Sequence, residues 1–174
     1  MGAGRPARDP AGPYPFPVSD QPAPERDDVT WEALDRLTEE LAAQLAGGTF
    51  DVILAIARGG LVPAGMLAYR LGIREILVAA VSAYDDAGRM AETPTIIDFP
   101  AADRLRGRRI LVVDEVWETG NTAVAVAALV RAAGGQPTTA VLHYKPRRSR
   151  TALAPDHYAV LADGWVTYPY KAGR

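Results

Sequence analysis

Two neighbouring carboxylates, Asp114 and Glu115, stand shortly before a small, hydroxyl-rich turn, Thr119-Gly120-Asn121-Thr122. The turn opens a run of apolar residues and good helix formers, residues 123–133. A helix N-terminus offers free backbone N–H groups and a positive dipole end, which suits a phosphate. Gly120 lets the backbone come close to such a ligand, and Thr119 and Thr122 add hydroxyl donors. The carboxylates would repel a phosphate. They can accept hydrogen bonds from a sugar diol or hold magnesium through water. A ligand carrying both a sugar diol and a phosphate satisfies both halves. An acidic pair alone is more often a solvated strand–helix turn, and only the whole ordered pattern argues for a site.

Three other groups carry chemistry. Arg58-Gly59-Gly60 joins a cation to two glycines, so bare amides and a guanidinium would suit a pyrophosphate. Lys145 can donate to an acceptor oxygen on a ligand, and Trp165 offers a ring face on which a planar ligand can stack. Taken singly, these are a glycine-rich loop with a surface arginine, a surface lysine and a rim tryptophan.

The elements that position these groups follow from periodicity. Four apolar residues, 110–113, read as a buried parallel strand running into the acidic pair. Thr30 can cap a helix in which Trp31, Leu34, Leu37, Leu41 and Leu45 recur at helical spacing, with Val29 packed on Leu34 and Gly47-Gly48 as the stop. In this helix Trp31 is a packing residue. Residues 51–57 form a first strand that enters Arg58-Gly59-Gly60, followed by a helix to Leu71 with Gly72 as its stop. Residues 75–82 form a second strand. Residues 83–100 are polar and show no clear period, so they read as a long loop with room for a short hairpin in its middle, and a loop of that length in a compact domain is usually functional. Further strands cover residues 138–144 and 158–161. Alternation of strands and helices implies an α/β fold with a mainly parallel sheet and helices on both faces. Ligands then bind at the carboxyl ends of the strands.

Residues 110–122 resemble the phosphoribosyl-diphosphate (PRPP) motif of type I phosphoribosyltransferases: four apolar residues, two acids, two apolar residues, a variable residue, then Thr-Gly-x-Thr. The resemblance runs from Val29 to about Tyr170. It implies the type I fold with a mainly parallel central sheet, a small hood built from the termini and a flexible active-site loop at which Ser82 and Tyr84 stand. It also implies roles. Asp114 and Glu115 bind the PRPP ribose and Mg2+, through water. Thr119, Gly120, Asn121 and Thr122 bind the 5-phosphate. Arg58 and Gly59 bind pyrophosphate. Glu118 fills the variable place, which in the 6-oxopurine branch holds an acid acting at the purine N7, so it is the expected catalytic residue. Lys145, Trp165 and Val166 match the base-binding positions of that branch, and Arg58-Gly59-Gly60-Leu61-Val62-Pro63 and Trp165 are close to its bacterial xanthine-guanine members. That branch often carries an unusual backbone geometry at the arginine turn. Asp163 is a weak further metal candidate. Two departures stand out: Glu118 is one methylene longer than the usual Asp, and Lys171 replaces an acid associated with a bound metal. The implied reaction moves ribose 5-phosphate from PRPP to guanine, xanthine or hypoxanthine and releases pyrophosphate, as in purine salvage. The alternatives are transfer to another heterocyclic base, or a PRPP-binding regulator without turnover.

Bulk properties agree. The 174 residues suit one domain, and 48% hydrophobic content allows a full core. Residues 1–28 hold half of the 14 prolines and read as a Pro-rich mobile tail, leaving residues 29–174 as the phosphoribosyltransferase domain. A net charge of −2 without a Lys/Arg block gives no nucleic-acid surface. The absence of cysteine excludes disulfides and thiolate chemistry. No apolar run spans a membrane, and the N-terminal residues lack a signal peptide's apolar core. The expectation is a cytoplasmic homodimer or homotetramer.

Overall fold

The computed structural model describes residues 26–84 and 90–171. Its elements, in chain order, are β1 (Arg26–Asp28), α1 (Trp31–Leu45), β2 (Val52–Ala57), α2 (Leu61–Leu71), β3 (Ile76–Tyr84), β4 (Met90–Asp98), β5 (Arg109–Trp117), α3 (Asn121–Ala132), β6 (Gln136–Tyr144), β7 (His157–Leu161) and β8 (Trp165–Thr167). Six strands form one sheet in the order β4-β3-β2-β5-β6-β7. All neighbours in it are parallel except the edge pair β3–β4. A separate two-stranded parallel sheet, β1–β8, makes the hood.

Strand alternation divides the core. Ile53 and Ala55 of β2, Leu111 and Val113 of β5, and Ala140 and Leu142 of β6 pack with the buried residues of α1 and α2. Val52, Leu54 and Ile56, with Ile110, Val112 and Val141, pack with Ala123, Val126 and Val130 of α3. Each central strand is therefore buried on both faces, which is why it reads as a continuous apolar run.

Local signals set the boundaries. Thr30 Oγ1 accepts the Ala33 N–H at 3.1 Å and caps α1. Val29 and Leu34 join the same core cluster, as the staple requires. Gly72, at φ 68°, ends α2. Trp31 touches Tyr170, their rings 6.3 Å apart, yet remains more than half exposed.

Three sequence expectations need correction. Residues 83–100 are not a loop throughout, because β4 pairs antiparallel with β3 and Ser82 lies opposite Thr95. The alternating exposure of residues 93–96 marks an edge strand, where Pro94 is tolerated because it need not donate to a ladder. Ser82 and Tyr84 accordingly lie in β3, and the tip of the expected flexible loop lies outside the described residues. Residues 26–28, assigned to the tail, form β1, and Val29 N–H donates to Thr167 O at 2.9 Å. The rest of the tail lies outside the described residues. Finally, β5 does not stop at the acids. Its ladder with β6 continues to Trp117 opposite Tyr144. Among the described residues, no helix is long and apolar enough to cross a membrane.

Candidate active site

The carboxyl ends of β5 and β6, the start of α3 and the hood enclose a cleft of about 240 Å³. Of the residues expected from the sequence, Asp114, Glu115, Glu118, Thr119, Gly120, Asn121, Thr122, Lys145, Trp165 and Val166 line it. The structure adds Pro94 from the edge strand, Trp117 and Lys171. Arg58, Gly59, Ser82 and Asp163 are not in its lining. Asp163 instead stands 3.4 Å from the exposed guanidinium of Arg147.

The phosphate-type turn is built tightly. Gly120 has φ 83°, and a Cβ there would sit 2.4 Å from the indole Nε1 of Trp117. Only glycine fits, on both counts. Trp117 is buried and donates its indole N–H to Ser149 Oγ at 3.3 Å. Asn121 N–H reaches Thr119 Oγ1 at 3.4 Å, and Thr119 O accepts Arg150 N–H at 2.9 Å. The turn is thus fixed from both sides before any ligand arrives.

The acids differ sharply. Asp114 is half-buried and accepts the Glu115 N–H at 2.8 Å. Burial, and then the charge of Glu115, push its carboxyl up to about 8. Glu115 is buried and already engaged. Tyr170 O–H donates to Oε2 at 2.7 Å, and the Lys171 ammonium donates to Oε1. The expectation that both acids face a ribose diol or metal therefore meets a different arrangement: Glu115 ties the C-terminal hood to the core. Among the described residues, no group of three or more His, Asp or Glu side chains could hold a metal ion.

The arginine turn meets this acid. A Cβ on Gly59 would lie 2.6 Å from Glu115 Cδ and 2.7 Å from its Oε1. Gly60 is tighter, with a virtual Cβ 2.3 Å from Val113 O. Both glycines are needed for the turn to press against β5. The Ala57–Arg58 peptide bond is cis, the unusual backbone geometry implied by the resemblance.

Beyond the acid pair along the chain, Glu118 Oε1 stands 2.8 Å from Arg148 and 3.6 Å from Lys145. Lys145 is almost wholly buried, so its charge is held by this carboxylate. Val166 is buried, whereas Trp165 is mostly exposed. Beneath the hood lies a network that no spacing in the sequence announces. His143 Nδ1 meets Tyr168 O–H at 2.7 Å, and Tyr168 O–H donates to Glu115 O at 2.8 Å. His143 Nε2 is 3.5 Å from Asp27 of β1. Burial pushes the His143 imidazole down to about 4, so it is neutral at physiological pH.

Known proteins share this chain's sequence pattern and fold. The family model described as "Phosphoribosyl transferase domain" matches residues 30–166. A xanthine-guanine phosphoribosyltransferase of Idiomarina loihiensis is 35% identical over 144 residues, covering 82% of this chain and 84% of that protein. One from Gluconobacter oxydans is 35% identical over 146 residues, covering 82% of each. Among solved structures, a purine phosphoribosyltransferase from Pyrococcus horikoshii superposes with a TM-score of 0.74 at 31% identity, covering 86% of this chain and 96% of its own. With the motif, the parallel sheet and the cleft at its carboxyl edge in agreement, the chain belongs to the phosphoribosyltransferase family.

Proposed function

We infer that this enzyme transfers ribose 5-phosphate from PRPP to a 6-oxopurine and releases pyrophosphate. The observation that carries the reading is the pairing of Lys145 and Glu118, 3.6 Å apart in the cleft. A 6-oxopurine presents an acceptor, O6, beside a ring nitrogen, N7, that bears a proton as the base reacts. An ammonium and a carboxylate side by side match that edge. Adenine places an amino donor where O6 would be, so the same ammonium meets a donor and the base is rejected.

The amides and hydroxyls of Thr119–Thr122 anchor the 5-phosphate. Asp114 faces the ribose; its carboxyl, protonated in the free protein, ionises as the cation-bearing PRPP arrives and then stabilises the cationic character at C1 as the bond to pyrophosphate breaks. The purine nitrogen attacks C1, and Glu118 takes the proton from N7. Arg58 and Gly59 serve pyrophosphate. The hairpin of β3 and β4, with Ser82 and Tyr84 on β3 and Pro94 on the cleft wall, is the covering element that keeps water from the reacting centre.

Magnesium fits this donor set as an ion that arrives with the diphosphate, because Mg2+ is usually held by one or two carboxylates plus substrate phosphates. Asp114 is the residue that would hold it, since both oxygens of Glu115 are already met. When bound, it neutralises charge on the leaving diphosphate. Exposed apolar side chains on α2 (Leu61, Tyr69) and β3 (Ile76, Val78) support a homodimer or homotetramer, which light scattering behind size exclusion would measure.

The test is pyrophosphate release from PRPP and magnesium with guanine, xanthine, hypoxanthine and adenine offered separately. Release with oxopurines but not adenine is expected. Glu118→Gln should lower turnover by about 10²-fold while leaving PRPP binding nearly intact. No release with any base, while PRPP still binds, would overturn the purine assignment.

A further inference from the structure

The cleft contains a cation that the reaction above does not use. Lys171 stands on the short 3-10 turn Pro169–Lys171, which follows β8 of the hood. Its ammonium donates to Glu115 Oε1, and its side chain is about half exposed and lines the cleft. An ammonium has three donors, so one contact to Glu115 leaves two. Glu115 Oε1 is also the oxygen closest to Gly59, where a Cβ would come within 2.7 Å. Lys171 is therefore held beside the arginine turn as well as beside the acid pair.

The segment is pinned by more than one bond. Tyr168 O–H, Tyr170 O–H and Lys171 all attach to Glu115, through its carbonyl, Oε2 and Oε1 respectively. Tyr168 and Tyr170 stack with ring centroids 5.3 Å apart, and the ammonium lies 5.7 Å from the Tyr168 ring. Such anchoring removes most of the freedom that an exposed lysine would lose on binding. The other lysine of the cleft, Lys145, already faces Glu118.

We propose that Lys171 is a diphosphate-binding residue: a fixed ammonium of this chain, seated by Glu115 next to the Arg58–Gly60 turn, that grips the leaving group of PRPP and so supplies part of the positive charge there. The proposal rests on the phosphoribosyl-transfer reading. It predicts that a diphosphate binds this protein measurably even when divalent cations are removed.

The probe is inorganic pyrophosphate, titrated calorimetrically into the full chain in chelator-containing buffer. Lys171→Gln keeps a donor for Glu115 but loses the charge. It should bind at least about tenfold more weakly than the wild type, while Lys171→Arg stays within about threefold. The double variant Lys171→Gln with Glu115→Gln should remain as weak as the single one. Wild-type affinity in Lys171→Gln overturns the proposal, as does no binding by the wild type in chelator. Full recovery in the double variant also overturns it, because Lys171 would then only neutralise Glu115. PRPP binding by the wild type with magnesium is measured alongside. Its absence would sink the phosphoribosyl-transfer reading itself, whereas intact PRPP binding beside any overturning result removes only the role of Lys171.

Discussion

Gly60→Ala isolates one physical effect. Gly60 has φ −70° and ψ −10°, a conformation open to any residue, so no dihedral strain enters. The cost is steric. The new Cβ would stand 2.3 Å from Val113 O, 2.8 Å from Ile56 O and 3.0 Å from Ile56 N. Ordinary carbon–oxygen contacts lie near 3.3–3.6 Å, so the start of α2 must retreat by about 1 Å from β5. The atoms in the way are the backbone of the two central strands, which cannot rotate aside as a side chain can. The retreat would also stretch Gly60 N–H to Ile56 O, now 2.8 Å. Overpacking a core by a methyl group costs about 1–3 kcal/mol, and an immovable neighbour puts this site at or above about 3 kcal/mol. Urea unfolding followed by circular dichroism should show a lower midpoint with an unchanged slope. Gly59→Ala provides the contrast, because its clash is with the Glu115 side chain. It should cost about 1–2 kcal/mol in stability but weaken PRPP binding more, by displacing the carboxylate that Tyr170 and Lys171 hold. A Gly60→Ala protein within about 0.5 kcal/mol of wild type would refute the contact between turn and strand.

The remaining expectations concern titration and capping. Asp114 keeps its proton in the fold up to about pH 8, while the unfolded chain releases it near 3.8, so this group makes stability fall as pH rises through that window. Urea midpoints at pH 6.5 and 8 should diverge in the wild type by up to about 1.4 kcal/mol per pH unit and converge in Asp114→Asn, which should lose PRPP binding. His143 works in the opposite direction. Held neutral down to about 4, it loses stability as pH falls from 6.5 towards 4, on the order of 3 kcal/mol in all, and His143→Gln should flatten that limb of a denaturation series. Thr30→Ala removes the acceptor of the Ala33 N–H and should lower stability by about 1 kcal/mol, read as a drop in melting temperature.

Where function is written in local order, the sequence shows it. Strand β5, the turn at Gly120 and helix α3 are contiguous, and their residue types follow from burial on both faces and from the tight turn that opens the helix. The two-face burial of β2 and the stop at Gly72 are legible for the same reason. What escaped is what depends on distant partners. Strand β4 is polar with a proline, because an edge strand is half solvated and carries a weak period. Strand β1 is three residues long and gains its hydrogen bonds only from β8. The partners of the site acids were equally hidden. Arg148 reaches Glu118 across thirty residues of chain, and Tyr168, Tyr170 and Lys171 converge on Glu115 from the far end. Lys171 could be noticed as a departure from the family pattern, but its seat on Glu115 could not. The buried His143–Tyr168 pair had no signal at all, since neither residue stands in a motif.

The hood has a consequence for the order in which the molecule is made. Strand β1 is synthesised before the sheet it sits beside, yet its partner β8 follows all six strands of that sheet. A chain emerging from the ribosome can therefore complete the central sheet, the Gly120 turn and α3 while Arg26–Asp28 waits unpaired. Trp165 and Val166 arrive with the closing strand, and Lys171 just after it. The Gly120 turn, Glu118 and Lys145 thus precede the strand that brings Trp165 and Val166 to the cleft. Closing so long a loop adds little to the equilibrium cost, which grows only logarithmically with length, but it makes the joining of the two ends a late event.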